Sequence, residues 1–235
     1  MKDIIINEMQ KVLKILANKL DGFYLAGGTA LSLFYFKHRE SYDLDFFTKE
    51  FSRTKIDKII SDLSSSLKVL INLTAEQNQK DKAKMLVYSL KIDEKNFLRI
   101  DFVEDIHDLI KSIQVINGIP ILSKEDIYLK KILTACGSIE TIDSIGRKQF
   151  VGGRQEAKDF FDLYYLSSTF MPFSKFTLQY CSQLQIESIV VWYHRYDRTE
   201  MKLALNDIRT DKEISFQNME RHFKLEIEQI IKQGF

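Results

Sequence analysis

The sequence predicts an α+β protein in which a mixed region of strands and helices, residues 1–122, precedes a helical region, residues 123–235. Short apolar runs bounded by turn residues dominate the first region and are typical of strands. Beyond it, apolar residues recur at helical spacing, and no strand is predicted. We treat the regions as two domains and expect a ligand site in a cleft between them, closed by the helical domain.

Composition and charge exclude several classes of protein. With 45% hydrophobic and 29% charged residues, the 235-residue chain is typical of a soluble globular protein. Its net charge of +1 gives no overall nucleic-acid signature. Cys136 and Cys181 are isolated, which argues against a disulfide scaffold or a zinc site. No apolar stretch is long enough for a membrane span or a signal segment, so we expect a cytoplasmic protein without membrane contact.

Apolar periodicity predicts the helices and strands of the first region. The predicted helices lie at about 3–20, at 29–36, and from a capping pattern at Thr54-x-x-Asp57. The predicted strands lie at 23–26, at 42–47, and at about 67–75, 84–92 and 96–103. An exposed connection is expected at 76–82, and Asn117-Gly118 predicts a two-residue turn between two short strands.

The second region reads as helices separated by breaks. These helices are predicted at 123–136 and at about 154–168, 174–183, 187–206 and 215–233. Glycines and basic residues between 137 and 153 predict a flexible basic loop. The run at 192–196 mixes aromatic and basic side chains, a pattern that fits stacking on RNA or helix packing equally well.

Gly27 and Gly28 stand where the strand at 23–26 gives way to a helix. Glycine is favoured at any sharp strand-to-helix turn, whatever the function. Alternatively, the missing Cβ atoms let phosphate oxygens reach backbone N–H groups, with Thr29 adding a hydroxyl. Taken alone, the pair favours the structural interpretation.

Asp43 and Asp45 alternate along the next predicted strand, so both carboxylates lie on one face while Leu44 points to the other. Like charges this close repel each other, so a bound cation is one explanation and solvated acids at an exposed strand end are the other. Oxygen ligands of this kind suit Mg²⁺ or Mn²⁺.

Asp101 is a third candidate ligand. In its predicted strand, Leu98, Ile100 and Phe102 share one face, so Asp101 lies on the other. If this strand neighbours the one that carries Asp43, three carboxylates converge. Such a layout is typical of two-metal phosphoryl transfer, in which Asp101 would help to activate an attacking hydroxyl.

Several ordered motifs together resemble one known family. They are the GGT at Gly27–Thr29, the HRESYDLDFF at His38–Phe47, the later Asp101, the KKI at Lys130–Ile132, and the RQEAKDFFDLY at Arg154–Tyr164. The first motifs are similar to those of the DNA polymerase β-like nucleotidyltransferases. The full set is similar to that of the AbiEii/AbiGii toxin family.

This resemblance implies a polymerase β-like nucleotidyltransferase core, a mixed sheet with flanking helices, followed by a helical domain. It implies transfer of an NMP from an NTP with Mg²⁺ or Mn²⁺ as cofactor, an acceptor that is tRNA or another RNA, and a cognate antitoxin protein. Asp43, Asp45 and Asp101 are assigned to metal binding and catalysis. The residues assigned to the nucleotide site are Gly27, Gly28, Thr29, Arg39, Ser41, Asp159 and Asp162.

Lys131 is assigned to catalysis on helix periodicity and on the family register. It lies opposite the apolar stripe of its helix, from which it could reach phosphates. Lys130 lies at the boundary and could pair with Asp126. Asp159 and Asp162 share a helix face, and could instead form ion pairs with Lys158, Arg154 or Arg39.

Two other functions stay open. One is a module with this fold that only binds RNA or a partner protein, although pure binding does not need three acids. The other is an aminoglycoside-type nucleotidyltransferase, which shares the first motifs and lacks the signature at Lys158–Leu163.

Overall fold

A computed structural model of the chain describes residues 2–80 and 82–234. The chain forms two compact units. The first comprises the chain up to Lys37 together with Ser41–Ser123, and the second comprises His38–Glu40 together with the chain from Lys124 onward. Asp81, within the connection predicted at 76–82, lies outside the described residues. No helix in the described part of the chain is long and apolar enough to cross a membrane.

A mixed sheet forms the centre of the first unit. Within the described residues its strands are β1 (Phe23–Leu25), β2 (Asp43–Thr48), β3 (Ile71–Gln77), β4 (Met85–Lys91), β5 (Phe97–Glu104), β6 (Gln114–Ile116) and β7 (Ile119–Ile121). Their order across the sheet is β3-β4-β5-β2-β1-β7-β6. The β2–β5 and β1–β7 pairs are parallel, and the other pairs are antiparallel.

Three helical segments accompany this sheet in the described chain. They are α1 (Lys2–Leu16), α2 (Gly27–Ala30), which continues as a π-helical turn over Leu31–Phe36, and α3 (Arg53–Leu67). The predicted first helix extends too far, because Asn18 takes a left-handed φ of 61°. The predicted cap at Thr54 is also wrong, since the Ser52 side chain accepts the hydrogen bond from the Lys55 N–H.

The short β6–β7 hairpin confirms the predicted turn. Asn117 and Gly118 have φ values of 52° and 76°, the left-handed conformations that a two-residue hairpin turn needs. The backbone N–H of Asn18 donates to the carbonyl of Gly118 at 2.8 Å, so the end of α1 rests on this turn.

Helices and one hairpin build the second unit. The described helices are α4 (Lys124–Cys136), α5 (Ala157–Thr169), α6 (Phe173–Tyr180), α7 (Gln183–Arg195), α8 (Arg198–Ala204), which ends in a 3₁₀ turn at Leu205–Asp207, and α9 (Phe216–Gly234). The single helix predicted at 187–206 is two helices, because Asp197 interrupts it and caps α8 by accepting the N–H groups of Thr199 and Glu200.

The flexible loop predicted at 137–153 is instead an antiparallel hairpin of β8 (Ile139–Ile142) and β9 (Lys148–Val151). Its base is tightly packed, since a Cβ on Gly153 would meet the carbonyl oxygen of Ala135 at 2.3 Å. The glycines therefore permit close approach of two backbone segments rather than flexibility. The prediction of an all-helical second region is wrong for this reason.

The core of the second unit is aromatic. Trp192 is 7% exposed and Tyr196 2% exposed, and both rings contact Phe160. Of the two interpretations of the run at 192–196, helix packing is the one that the structure shows.

Candidate active site

The acid residues of the first unit lie on neighbouring strands. Asp43 and Asp45 point to one face of β2, while Leu44 and Phe46 are fully buried on the other. In the parallel β2–β5 register, Asp45 lies directly opposite Asp101. The predicted neighbourhood of these two strands is confirmed.

Gly27 lets Asp45 approach the main chain at the start of α2. Its φ is 68°, and a Cβ at this position would come within 2.6 Å of Asp45 Oδ2. Just before it, the Ala26 N–H donates to the carbonyl of Asp45 at 2.9 Å. The open space at Gly27 is therefore used by the carboxylate of Asp45, a use that sequence reasoning did not consider. Gly28 follows in α2 and is buried.

Thr29 joins α2 to the segment that leads into β2. Its side chain is fully buried, and its hydroxyl donates to the backbone carbonyl of Asp43. A hydroxyl has one proton to donate, so the Ser41 hydroxyl, 2.8 Å away, must donate to Thr29. Thr29 and Ser41 thus fix the conformation of the chain immediately before the acid pair.

Arg99 is a member of this site that sequence reasoning missed. It lies opposite Asp43 in the β2–β5 register and on the same face as Asp101. Its Nε is 2.8 Å from Asp101 Oδ1, and its Nη2 is 2.7 Å from Oδ2. The hydrogen bond with Asp101 raises the pKa of Arg99, and the charges of Asp101, Asp43 and Asp45 add to this. The strand alternation that identified Asp101 also places residue 99 on that face. The sequence pattern could therefore have identified Arg99 as well.

The donor chemistry of these acids fits a divalent cation. Carboxylate oxygens are the ligands that Mg²⁺ and Mn²⁺ prefer, and Asp43, Asp45 and Asp101 share one face of two adjacent strands. In residues 2–80 and 82–234, however, no group of three His, Cys, Asp or Glu side chains is assembled to hold a metal ion. Both oxygens of Asp101 are engaged by Arg99. The metal assignment stays a prediction.

A second polar cluster lies in the second unit and centres on Asp162. Arg39 binds its carboxylate through two hydrogen bonds, Nε to Oδ1 at 2.6 Å and Nη2 to Oδ2 at 2.7 Å. His38 Nε2 is 2.8 Å from Oδ1, and Lys131 Nζ is 2.7 Å from Oδ2. Burial opposes ionisation of Asp162, yet the charges of Lys131 and Arg39 hold its pKa well below its usual value.

Lys131 bridges Asp162 to Asp159. Its ammonium group is 2.6 Å from Asp159 Oδ1, and Arg154 Nε is 2.7 Å from Oδ2 of the same carboxylate. Burial works against the charge of Lys131, but Asp162 and Asp159 raise its pKa overall, so it is an ammonium ion. Burial likewise opposes ionisation of Asp159, and Lys131 and Arg154 lower its pKa.

The predicted site residues therefore form two groups. Those of the first unit are Gly27, Gly28, Thr29, Ser41, Asp43, Asp45 and Asp101. Those of the second unit are Arg39, Lys131, Asp159 and Asp162. The ion-pair alternative for the two acids of α5 is confirmed for Arg154 and Arg39, whereas Lys158 pairs with Glu156. The catalytic assignment of Lys131 stays a prediction.

A mixed sheet with paired acids on neighbouring strands, followed by helices, defines the nucleotidyltransferase fold. The chain belongs to the nucleotidyl transferase AbiEii toxin family of type IV toxin–antitoxin systems, whose family model matches residues 12–233. The resemblance drawn from the ordered motifs is confirmed.

Solved structures share this fold along nearly the whole chain. JHP933 from Helicobacter pylori is 20% identical with a TM-score of 0.56, over 97% of this chain and 94% of its own. A candidate nucleotidyltransferase from H. pylori is 19% identical with a TM-score of 0.57, over 97% of this chain and 96% of its own. At such identities the likeness shows the fold alone. A comparison with curated proteins finds none that matches.

Proposed function

We propose that this chain is a metal-dependent nucleotidyltransferase that moves an NMP from an NTP to tRNA or another RNA, and that it acts as the toxin of a toxin–antitoxin pair in the cytoplasm. The observation that carries the proposal is the acid set on one face of two parallel strands, Asp43 and Asp45 on β2 with Asp101 opposite Asp45 on β5. Membership of the toxin family supports a cognate antitoxin as partner.

In this proposal Asp43 and Asp45 hold Mg²⁺ or Mn²⁺, and Asp101 completes the metal site or accepts a proton. The bound ion would offset the charge of the triphosphate and favour attack by a hydroxyl. The acceptor oxygen forms a bond to the α-phosphorus, the bond from that phosphorus to the bridging oxygen breaks, and pyrophosphate leaves. The proton of the hydroxyl passes to Asp101 or, where Asp101 holds the metal, to water.

The residues around Asp43, Asp45 and Asp101 would position the triphosphate and the acids. The backbone at Gly27 borders Asp45, so the triphosphate would lie beside Gly27 and the Gly28 that follows it. Thr29 is buried and holds the segment before Asp43, so we assign it and Ser41 to orienting the acid pair rather than to direct contact with phosphate.

The test is incubation of the purified chain with Mg²⁺, each α-labelled NTP in turn and total RNA, followed by separation of the RNA. We expect one NTP to label a tRNA-sized species, and Asp45→Asn to lower the rate by ~100-fold or more, because a metal ligand is lost. Asp62→Asn, an exposed acid on α3, is the matched control and should retain activity.

Two results would count against this function. An Asp45→Asn variant as active as the parent would remove the mechanism. If no NTP labels RNA and Mg²⁺-NTP shows no metal-dependent affinity for the chain, the alternative of a binding-only module is favoured.

A further inference from the structure

Four charged residues lie next to one another on β2 and β5, two on each strand. Register places Arg99 opposite Asp43, and Asp101 opposite Asp45, all on the face away from the apolar core. One cation thus stands among three carboxylates. Arg99 is not one of the residues predicted to act in nucleotidyl transfer.

Arg99 is bound to one of these carboxylates in a two-point arrangement. The guanidinium engages both Asp101 oxygens, with Nε 2.8 Å from Oδ1 and Nη2 2.7 Å from Oδ2. Paired hydrogen bonds of this geometry are among the stronger polar contacts in proteins. The carboxylate is 8% exposed, whereas the arginine side chain is 54% exposed. The acid is therefore held in place, while the arginine has room to move into solvent.

The oxygens that Arg99 occupies are the ones that a metal ion would need. A cation at Asp101 and the guanidinium of Arg99 are like charges competing for the same two atoms. Breaking the two hydrogen bonds between Arg99 and Asp101 costs free energy, which is subtracted from the free energy of metal binding. The Arg99 pair therefore lowers the affinity of the acid set for any divalent ion.

We propose that Arg99 is the built-in counter-ion of Asp101, and that a divalent cation must displace it before Asp101 can join the acid set. Arg99 then sets the metal affinity of the site. The inference rests on the proposed function, since it assumes that these acids bind metal. Once released, the planar guanidinium stays tethered opposite Asp43, where its donors suit phosphate oxygens.

The test measures metal binding rather than activity. Mn²⁺ is titrated into the full chain, and the free ion is followed by its paramagnetic resonance signal. We expect Arg99→Gln to tighten the Kd for Mn²⁺ by about ten-fold, since both Asp101 oxygens are released and one nearby positive charge is removed. Arg99→Lys, which retains the charge without the two-point contact, should fall between the parent and Arg99→Gln. Because Arg99 is half exposed, both variants should fold, which circular dichroism checks.

Arg53→Gln is the matched control. Arg53 is similarly exposed, at 46%, and pairs with Asp57 and Glu76, so its loss changes the net charge by the same amount. Exposed charges are screened by salt, so we expect less than about a two-fold change in the Kd. In an Asp101→Asn background, Arg99→Gln should tighten the Kd by less than it does in the parent, because Arg99 then has no acid to release and only the loss of its charge near Asp43 and Asp45 remains.

The outcomes separate this inference from the proposed function. If the parent binds Mn²⁺ and Asp45→Asn weakens that binding, but Arg99→Gln binds no more tightly than the parent, the role of Arg99 is overturned alone. If neither the parent nor Arg99→Gln binds Mn²⁺, the metal-dependent function fails and the inference fails with it.

Discussion

The carboxylate of Asp45 lies against the main chain of Gly27, so closely that a Cβ on residue 27 would approach Oδ2 to 2.6 Å. The same residue has a φ of 68°, which L side chains rarely adopt. The glycine is thus required twice, once by the backbone turn into α2 and once by the acid. This contact ties the strand-to-helix turn to the acid set on β2.

Replacing Gly27 by alanine should therefore do more than strain the backbone. We expect Gly27→Ala to lower the free energy of unfolding by about 1–2 kcal/mol, because the left-handed conformation is unfavourable for alanine. It should also push the Asp45 side chain away and weaken Mn²⁺ binding. Urea unfolding followed by circular dichroism and Mn²⁺ titration measure the two effects.

Gly22→Ala is the control for Gly27→Ala. Gly22 has a similar φ of 78°, but a Cβ there would have nothing within 4 Å. It should show the conformational cost without the loss of metal affinity. Equal Mn²⁺ affinity in the two variants would contradict the role given to the Gly27–Asp45 contact.

Strand alternation was sufficient to predict the acid face of the first unit. In β2 and β5 fully buried apolar residues alternate with charged ones over residues 43–46 and 98–102, so Asp43, Asp45 and Asp101 were assigned to one side without knowledge of the fold. Periodicity does not give the register between strands that are far apart in sequence. That register decides that Asp101 faces Asp45 and that Arg99 faces Asp43.

Thr29 provides a second test of how the acid pair is held. Thr29→Val keeps the shape of the side chain but removes the hydroxyl that contacts Asp43 and Ser41. We expect a loss of about 1–3 kcal/mol in the free energy of unfolding, the usual cost of a buried polar group left without its partner. The start of β2 should also be less well fixed, which would reduce Mn²⁺ affinity.

Thr29→Ser retains the hydroxyl and serves as the matched variant. It should lose about 1 kcal/mol for the buried methyl group and keep its Mn²⁺ affinity. If Thr29→Ser and Thr29→Val bind Mn²⁺ equally well, the hydroxyl does not position Asp43.

The two cysteines should be unreactive in the folded protein. Burial raises the pKa of the Cys181 thiol to about 12 and raises that of Cys136 well above its usual value. Because the thiolate is the reactive form, we expect an aromatic disulfide reagent at pH 8 to modify the native chain ~100-fold more slowly than the urea-unfolded chain. Both residues are partly exposed, so rapid labelling of one thiol in the native protein would contradict its raised pKa.

Long-range partners also explain what was missed in the second unit. Helix spacing placed Asp159 and Asp162 on one face of α5, with Arg39 among their possible ion-pair partners. It could not show that His38, more than a hundred residues earlier, and Lys131 share Asp162 with Arg39. In the hairpin that replaces the predicted loop, the decisive feature is a tight backbone contact at Gly153, which composition alone cannot distinguish from flexibility.

Asp162 gives the strongest stability prediction, because its side chain is fully buried among cations. Asp162→Asn leaves Lys131 and Arg39 with one carboxylate fewer in a buried setting. Removal of one partner from such a cluster costs about 3–5 kcal/mol. Urea unfolding followed by the fluorescence of Trp192, the one tryptophan of the chain and a core residue of the same unit, measures the loss.

Glu140→Gln is the control for Asp162→Asn, since Glu140 forms an exposed ion pair with Lys148 in the same unit. Its loss should cost less than about 1 kcal/mol. A similar cost for the two substitutions would show that the Asp162 cluster contributes no more than a surface pair.

The difference in free energy of unfolding between the parent and Asp162→Asn should depend on pH. The direction of the Asp162 pKa shift determines how. Lys131 and Arg39 outweigh burial and hold the pKa of Asp162 well below its unfolded value of about 3.9. A group with a depressed folded pKa adds stability above its unfolded pKa and loses it as the pH falls through its folded pKa. The gap between the parent and Asp162→Asn should therefore be constant from pH 7 to about 5 and shrink below about pH 4. A gap that grows on acidification would mean that the pKa of Asp162 is raised in the folded protein, and the ionic cluster would be wrongly assigned.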